Sequence, residues 1–228
     1  MSEEDERRGP RPSPLQNKVN PEGAIEAVST RKSTLMGNRG VLHNAKWQLT
    51  KTMVKDRFAW IYCTLERGER EPRELMTPGC YTELFFLDEA SAIAAGHRPC
   101  NDHECLRERH EEFKQIWYQA NADRYSGPRK YIGPIDLWLH EERTGARPVM
   151  VRRQAAQLPN GAFVACHSRF FLVWDGLFLK WSHHGYVSRE EIPETTDLRV
   201  VTPLSALRCL DQGFTPQLHP TAWQFIND

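Results

Sequence analysis

The stretch Tyr81-Thr-Glu-Leu-Phe-Phe-Leu-Asp-Glu-Ala-Ser-Ala-Ile-Ala-Ala-Gly-His-Arg-Pro-Cys-Asn-Asp-His-Glu-Cys105 decides the fold. Residues 81–87 are aromatic and apolar and follow the turn signal Thr77-Pro-Gly79, so they predict a strand. Asp88 comes next, and its carboxylate can accept the unpaired amides of a helix over 89–95. Gly96 suits the left-handed position that closes such a helix. The chain is thereby delivered to His97-Arg98-Pro99-Cys100.

Downstream, Leu106, Phe113, Ile116, Trp117 and Ala120 share one face at helical spacing, which predicts a helix from about 105 to 122. Pro128 is expected to stop it. Pro134 can open another helix with Ile135, Trp138 and Leu139 facing inward. From 149 onward the apolar runs shorten to strands at 162–166, 170–174, 177–181 and 198–201. Asp175-Gly176 is a two-residue hairpin signal. Thr202-Pro203 offers a cap followed by proline in the first helical turn, and Gly213 offers a stop.

Upstream, residues 46–50 and 58–65 read as strands, with a polar turn at 66–70. Gly37 and Gly40 bracket Asn38 and Arg39 in a predicted tight turn. Residues 1–33 are rich in charge and carry Pro10, Pro12, Pro14 and Pro21, so a disordered tail is expected, with order starting near Thr34. A helical middle flanked by strands indicates α+β rather than a repeating βαβ fold. The expected organisation is a single α+β domain over 34–228, with any sub-boundary near 145–158.

The chain has 228 residues, 39% of them hydrophobic, which suffices for a sizeable core. Thirty cationic side chains balance thirty anionic ones, so no long-range field draws in a polyanion and broad nonspecific nucleic-acid binding is disfavoured. The start Met1-Ser-Glu-Glu-Asp lacks a secretory pattern, and no apolar run approaches bilayer length. A cytoplasmic protein without a membrane partner is expected. Its six cysteines are then core thiols or metal ligands rather than a disulfide framework. No nucleophile elbow, phosphate loop or dinucleotide fingerprint is present. His140-Glu-Glu-Arg143 lacks the second histidine of a zinc-protease helix.

The strand, the short Glu-Ala and Ala-Gly helix and the ending Arg98-Pro99-Cys100 resemble the metal-binding domain of Ada-type alkylation-response proteins, the alkylphosphotriester acceptors. The likeness covers about two dozen residues; over its length the chain resembles a family of uncharacterised bacterial proteins, which implies no activity. The Ada resemblance implies zinc, with Cys63 as an upstream ligand. It departs from the family pattern at Arg67, where a second upstream cysteine would stand, and at Cys100-Asn-Asp-His103, which replaces the closing Cys-x-x-Cys. Zinc accepts imidazole as well as thiolate, so Cys63, Cys80, Cys100 and either His103 or Cys105 make a complete tetrahedral set on paper. The bland alternative is that these are buried thiols without a ligand role. The family's methyl-acceptor role would fall on Cys63, but a cysteine between Tyr62 and Leu65 in an apolar strand lacks the solvent access that chemistry needs.

Arg98, Arg124, Arg129 and Lys130 lie near aromatic residues of the helical middle, a mixture that suits phosphate contact and base stacking. Glu104, Glu108, Glu111 and Glu112 interleave with that middle and fit an ordinary salt-bridged helix face equally well. The leading expectation is a zinc-supported binding module contacting nucleic acid or a protein partner. The alternatives are an enzyme acting on nucleic acid around His97, Arg98 and Glu83, or a metal-free interaction domain.

Overall fold

The computed structural model describes residues 9–65, 74–101, 104–145 and 151–227, with Glu104 and Cys105 described by their backbone alone. The expected turn at 66–70, His103 and the Cys105 side chain fall outside the described residues, as does part of the 145–158 segment.

The fold is α+β, with two six-stranded sheets and five α-helices among the described residues. The first sheet contains β1 (Gln16–Val19), β2 (Ile25–Ala27), β3 (Leu35–Asn38), β4 (Ile61–Thr64), β5 (Leu84–Phe86) and β6 (Arg98–Pro99). Their order is β2-β1-β5-β3-β4-β6; β1/β5 and β4/β6 run parallel and the other pairs antiparallel. The second sheet is antiparallel throughout, ordered β11-β10-β9-β8-β12-β7. Its strands are β7 (Arg152–Gln154), β8 (Phe163–Cys166), β9 (Arg169–Trp174), β10 (Leu177–Ser182), β11 (Gly185–Glu190) and β12 (Asp197–Val200). The helices are α1 (Glu89–Ala94), α2 (Glu104–Ala120), α3 (Gly133–Thr144), α4 (Leu204–Asp211) and α5 (Trp223–Ile226).

Local chemistry accounts for most of these elements. Asp88 caps α1 by accepting the Ser91 amide at 2.9 Å, while Ser91 Oγ accepts the Asp88 amide at 3.0 Å. Gly96 then closes the turn at φ +79°. Leu106, Phe113, Trp117 and Ala120 bury the inner face of α2. Asp175 and Gly176, both at positive φ, turn β9 into β10. One apolar cluster joins Leu84, Phe86, Phe113, Trp117, Phe171 and Phe178, drawing on both sheets and on α2. Gly37 in β3 is required by close approach, because a Cβ there would collide with the Ile61 carbonyl oxygen of β4.

The structure departs from the sequence reading in three places. Order does not wait for Thr34: β1 and β2 form a hairpin at the edge of the first sheet, with Val19 and Ile25 buried. Composition underestimated this segment because much of its docking is polar. The carbonyls of Pro21 and Gly23 accept hydrogen bonds from Arg143 Nη2 (3.4 Å) and Arg39 Nη1 (3.0 Å). Residues 46–50 are a turn rather than a strand. Asn44 Oδ1 accepts the amides of Lys46 and Gln48, a local bond that outcompetes a ladder and leaves one isolated bridge, His43 to Leu49. Thr202 does not cap α4, since its hydroxyl accepts the Phe163 amide (2.9 Å). The α4 amide of Ser205 is instead capped by Glu142, reaching across from α3.

Candidate anion-binding site

The Gly37-Asn-Arg-Gly40 segment leaves β3 through a turn, with Gly40 at φ +103° against Val54, and this drives the Arg39 side chain inward. Arg39 is 2% exposed. Its Nε donates to His97 Nε2 (3.3 Å), its Nη1 to the Gly23 and Thr52 carbonyls (3.0 and 3.5 Å), and its guanidinium lies 4.3 Å from the centre of the Trp60 ring. No carboxylate among the described residues pairs with it. Burial, reinforced by the positive charge of Arg143, pulls its pKa down to about 9.

Arg143 comes from the last turn of α3, where a cation complements the helix dipole. Its stem runs over Gly96, where a Cβ would collide with it. Burial pulls its pKa down to about 10, against the raising effect of Glu22 and Glu142. No ion pair among the described residues engages its guanidinium.

His97 closes the floor. Its Nδ1 faces the Ala95 carbonyl at 3.1 Å and its Nε2 faces Arg39, so the network assigns the proton to Nδ1. Burial first, then Arg39, holds its pKa well below the ordinary histidine value, and the ring stays neutral. Trp60 lies 5.5 Å from the rings of both His97 and His140 of α3, and Phe58 lies 5.0 Å from His140.

These residues share one property. Nine buried side-chain nitrogens or oxygens lack a hydrogen-bond partner among the described residues, and four of them fall here: Arg39 Nη2, Trp60 Nε1, His140 Nδ1 and Arg143 Nε. Buried polar atoms without partners cost about 1–3 kcal/mol each, more when charged, so the Arg39, Trp60 and Arg143 donors are groups that an added acceptor would stabilise. The chemistry that satisfies two guanidinium N–H groups and an indole N–H together is an oxyanion.

The sequence-predicted residues are distributed differently. Arg98 is buried in a bidentate pair with Asp136 of α3, Nε to Oδ1 at 2.6 Å and Nη2 to Oδ2 at 2.9 Å, and its Nη1 donates to the Pro99 carbonyl. All three of its nitrogens are thus engaged in the interior, and it is buried whereas Arg129 and Lys130 are exposed in the loop before α3. Arg124 packs over Trp138 at 5.4 Å and lies 3.8 Å from Glu142. Of the expected His97 and Glu83, both His97 nitrogens are engaged as above, and Glu83 Oε2 accepts the Met76 amide at 2.8 Å.

The cysteines separate into two places. Ile61 pairs with Arg98 and Tyr62 with Pro99, and the Cys100 amide donates to the Tyr62 carbonyl at 2.9 Å, so Cys63 and Cys100 are the next neighbours across the β4–β6 ladder. Cys80 belongs to the other end of β3. Its turn is tied through Thr82 to the Gly40 carbonyl, whereas Cys63 pairs with Met36. Met36 and Gly40 are four residues apart, roughly 13 Å along an extended chain, which takes Cys80 out of the set with Cys63 and Cys100. Among the described residues no three His, Cys, Asp or Glu side chains converge in metal-ligand geometry.

Sequence reasoning marked the Gly37–Gly40 turn but not the arginine it buries. The usable signal was an arginine between two glycines with Leu35, Met36, Val41 and Leu42 around it. No helix among the described residues is long and apolar enough to cross a membrane. No family model matches this chain, and neither does any curated protein or solved structure.

Proposed function

We propose that the protein is a binding module for a phosphate-bearing ligand, held between Arg39 and Arg143 above His97. The observation that carries this reading is the set of four buried nitrogens without a hydrogen-bond partner among the described residues, two of them on arginines that form no ion pair there. A protein that needed only stability would place apolar side chains there, because an unpaired buried cation is costly. A ligand anion would offset that cost only when bound, which makes the site a receptor for negative charge. Nucleic acid is one source of such a group.

The test is thermal unfolding in orthophosphate against chloride at matched ionic strength. A ligand at one hundred times its Kd adds about 2.7 kcal/mol, roughly 5–10 °C in Tm for a chain of this size. Arg39→Met should remove the part of the shift that is specific to the site, leaving only the general salting effect of phosphate. An equal shift in both proteins would refute the reading.

A second reading has its own observation, the adjacency of Cys63 and Cys100 across β4 and β6. Those two residues would supply half of a structural zinc site, which needs both His103 and Cys105 to complete it once Cys80 is set aside. Bound there, zinc would tie the edge strand β6 to β4 and add folding energy directly. Purified protein should then carry about one equivalent of zinc by elemental analysis, and Cys100→Ala should lower both metal content and Tm. Metal-free protein with unchanged stability after chelation would rule this out.

A further inference from the structure

We propose that the groove on the outer face of the first sheet, beside β1, binds a small amphipathic carboxylate, its head at Lys18 and its apolar body over Phe85. The groove shares no lining residue with the Arg39–Arg143 cluster, so this inference stands independently of the anion-binding reading.

The sheet itself makes the floor. In β5, Leu84 and Phe86 are fully buried in the core, so strand alternation turns Phe85 to the opposite face. Lys18 of β1 is the register partner of Phe85, and its Nζ lies 4.1 Å from the centre of the Phe85 ring. Beside this pair opens a groove of about 610 Å³. That volume falls within the range of small-molecule sites, about 300–1,000 Å³. Its apolar lining is gathered from separate segments: Leu15, Val28, Leu65 and Leu75 meet there with Phe85. Leu65 is 45% exposed. Apolar surface held in water in this way is stabilised when an apolar body covers it.

Charge selects the head group. Lys18 and Arg31 both line the groove, and among the described residues no aspartate or glutamate does. Lys18 is half-buried, and burial lowers its pKa, so its ammonium has given up part of its hydration. In exchange it has the Phe85 ring alone: among the described residues no oxygen accepts from it and no carboxylate pairs with it. Glu26, opposite Lys18 across the β1–β2 pair, is taken by Asn20 Nδ2 at 2.6 Å and His183 Nε2 at 2.8 Å. A ligand carboxylate would accept from the free ammonium donors in a partly dehydrated place, where a charge-assisted bond is strong. The hydroxyls of Ser13, Ser29 and Ser33 supply neutral donors along the same groove. A cationic ligand would meet two like charges there, and a neutral one would leave the ammonium unpaired.

The experiment is calorimetric titration of the full chain with octanoate, octanol and acetate. Octanoate should bind saturably, about tenfold or more tightly than octanol, which lacks the charge, and than acetate, which lacks the body. Lys18→Met keeps the stem and removes the ammonium. It should weaken octanoate about tenfold or more while leaving octanol unchanged. Leu65→Asp, at an exposed position where folding tolerates a polar side chain, sets a negative charge in the groove and should weaken octanoate as well. Arg39→Met should bind octanoate as the parent protein does. Octanol or acetate binding as tightly as octanoate overturns the proposal, as does equal octanoate affinity in Lys18→Met and the parent. Absence of saturable octanoate binding also overturns it, and loss of binding in Arg39→Met would move the carboxylate to the buried arginines instead.

Discussion

Asp136→Ala is expected to destabilise the protein by about 3–5 kcal/mol, a fall in Tm of roughly 6–20 °C. Asp136 and Arg98 are almost completely buried, and the two hydrogen bonds between them, at 2.6 and 2.9 Å, neutralise both charges. Deleting one partner leaves the other as an uncompensated charge in the interior. The loss should reach the first sheet, because Arg98 is in β6 and pairs with Ile61 of β4. Replacing both residues by apolar ones, Arg98→Met with Asp136→Leu, should recover most of the stability, since the desolvation cost then disappears with the pair. Chemical denaturation of the three variants measures this. A small loss in Asp136→Ala would mean that Arg98 can reach water, and would reopen it as a contact for phosphate.

Arg39→Met is expected to act in the opposite direction, raising stability by about 1–2 kcal/mol while abolishing the response to phosphate. Replacing buried ions by apolar side chains can add about 1–4 kcal/mol. The lower part of that range applies because Gly23 O and His97 Nε2 lose a donor. The pH dependence follows from the sign of the shift. Arg39 has a folded pKa of about 9, below its ordinary value, so above pH 9 the unfolded chain binds more protons than the folded one and the cost is relieved as pH rises. Below pH 9 the cost is fully present. The stability difference between Arg39→Met and the parent protein should therefore be largest near pH 7–8 and shrink above pH 9. Paired denaturation curves across that range provide the measurement; a destabilised variant at pH 7 would show that Arg39 is structural and its site is not waiting for an anion.

Arg39 and Arg98 make the contrast between sequence and structure concrete. Both are buried arginines close to a proline or glycine, and nothing in the one-dimensional pattern separates them. Arg98 meets Asp136, thirty-eight positions away on α3, whereas Arg39 meets Arg143, another cation, on the same helix. The sequence reading placed Arg98 in a binding surface and left Arg39 in a turn; tertiary pairing buries both, Arg98 against a carboxylate and Arg39 without one. The cysteines behave similarly. Cys63 and Cys80 lie seventeen positions apart in sequence yet at different ends of β3, while Cys63 and Cys100 become neighbours through a parallel pairing that no local signal announces.

Elements whose causes are local were legible in the chain. Asp88, Ser91 and Gly96 fix the limits of α1, Asp175-Gly176 fixes the β9–β10 hairpin, and the spacing of Leu106, Phe113, Trp117 and Ala120 fixes the buried face of α2. Capping, turn geometry and helical periodicity act over a few residues, so they are written in the chain. Long-range packing, in contrast, brings residues 16–27 into the first sheet, places Glu142 at the start of α4, and leaves nitrogens of Arg39, Trp60, His140 and Arg143 buried without a hydrogen-bond partner among the described residues. Those outcomes depend on which distant groups share a low-dielectric interior. There the energy of a charge or an N–H group is set by its neighbours in space, not by its neighbours along the chain.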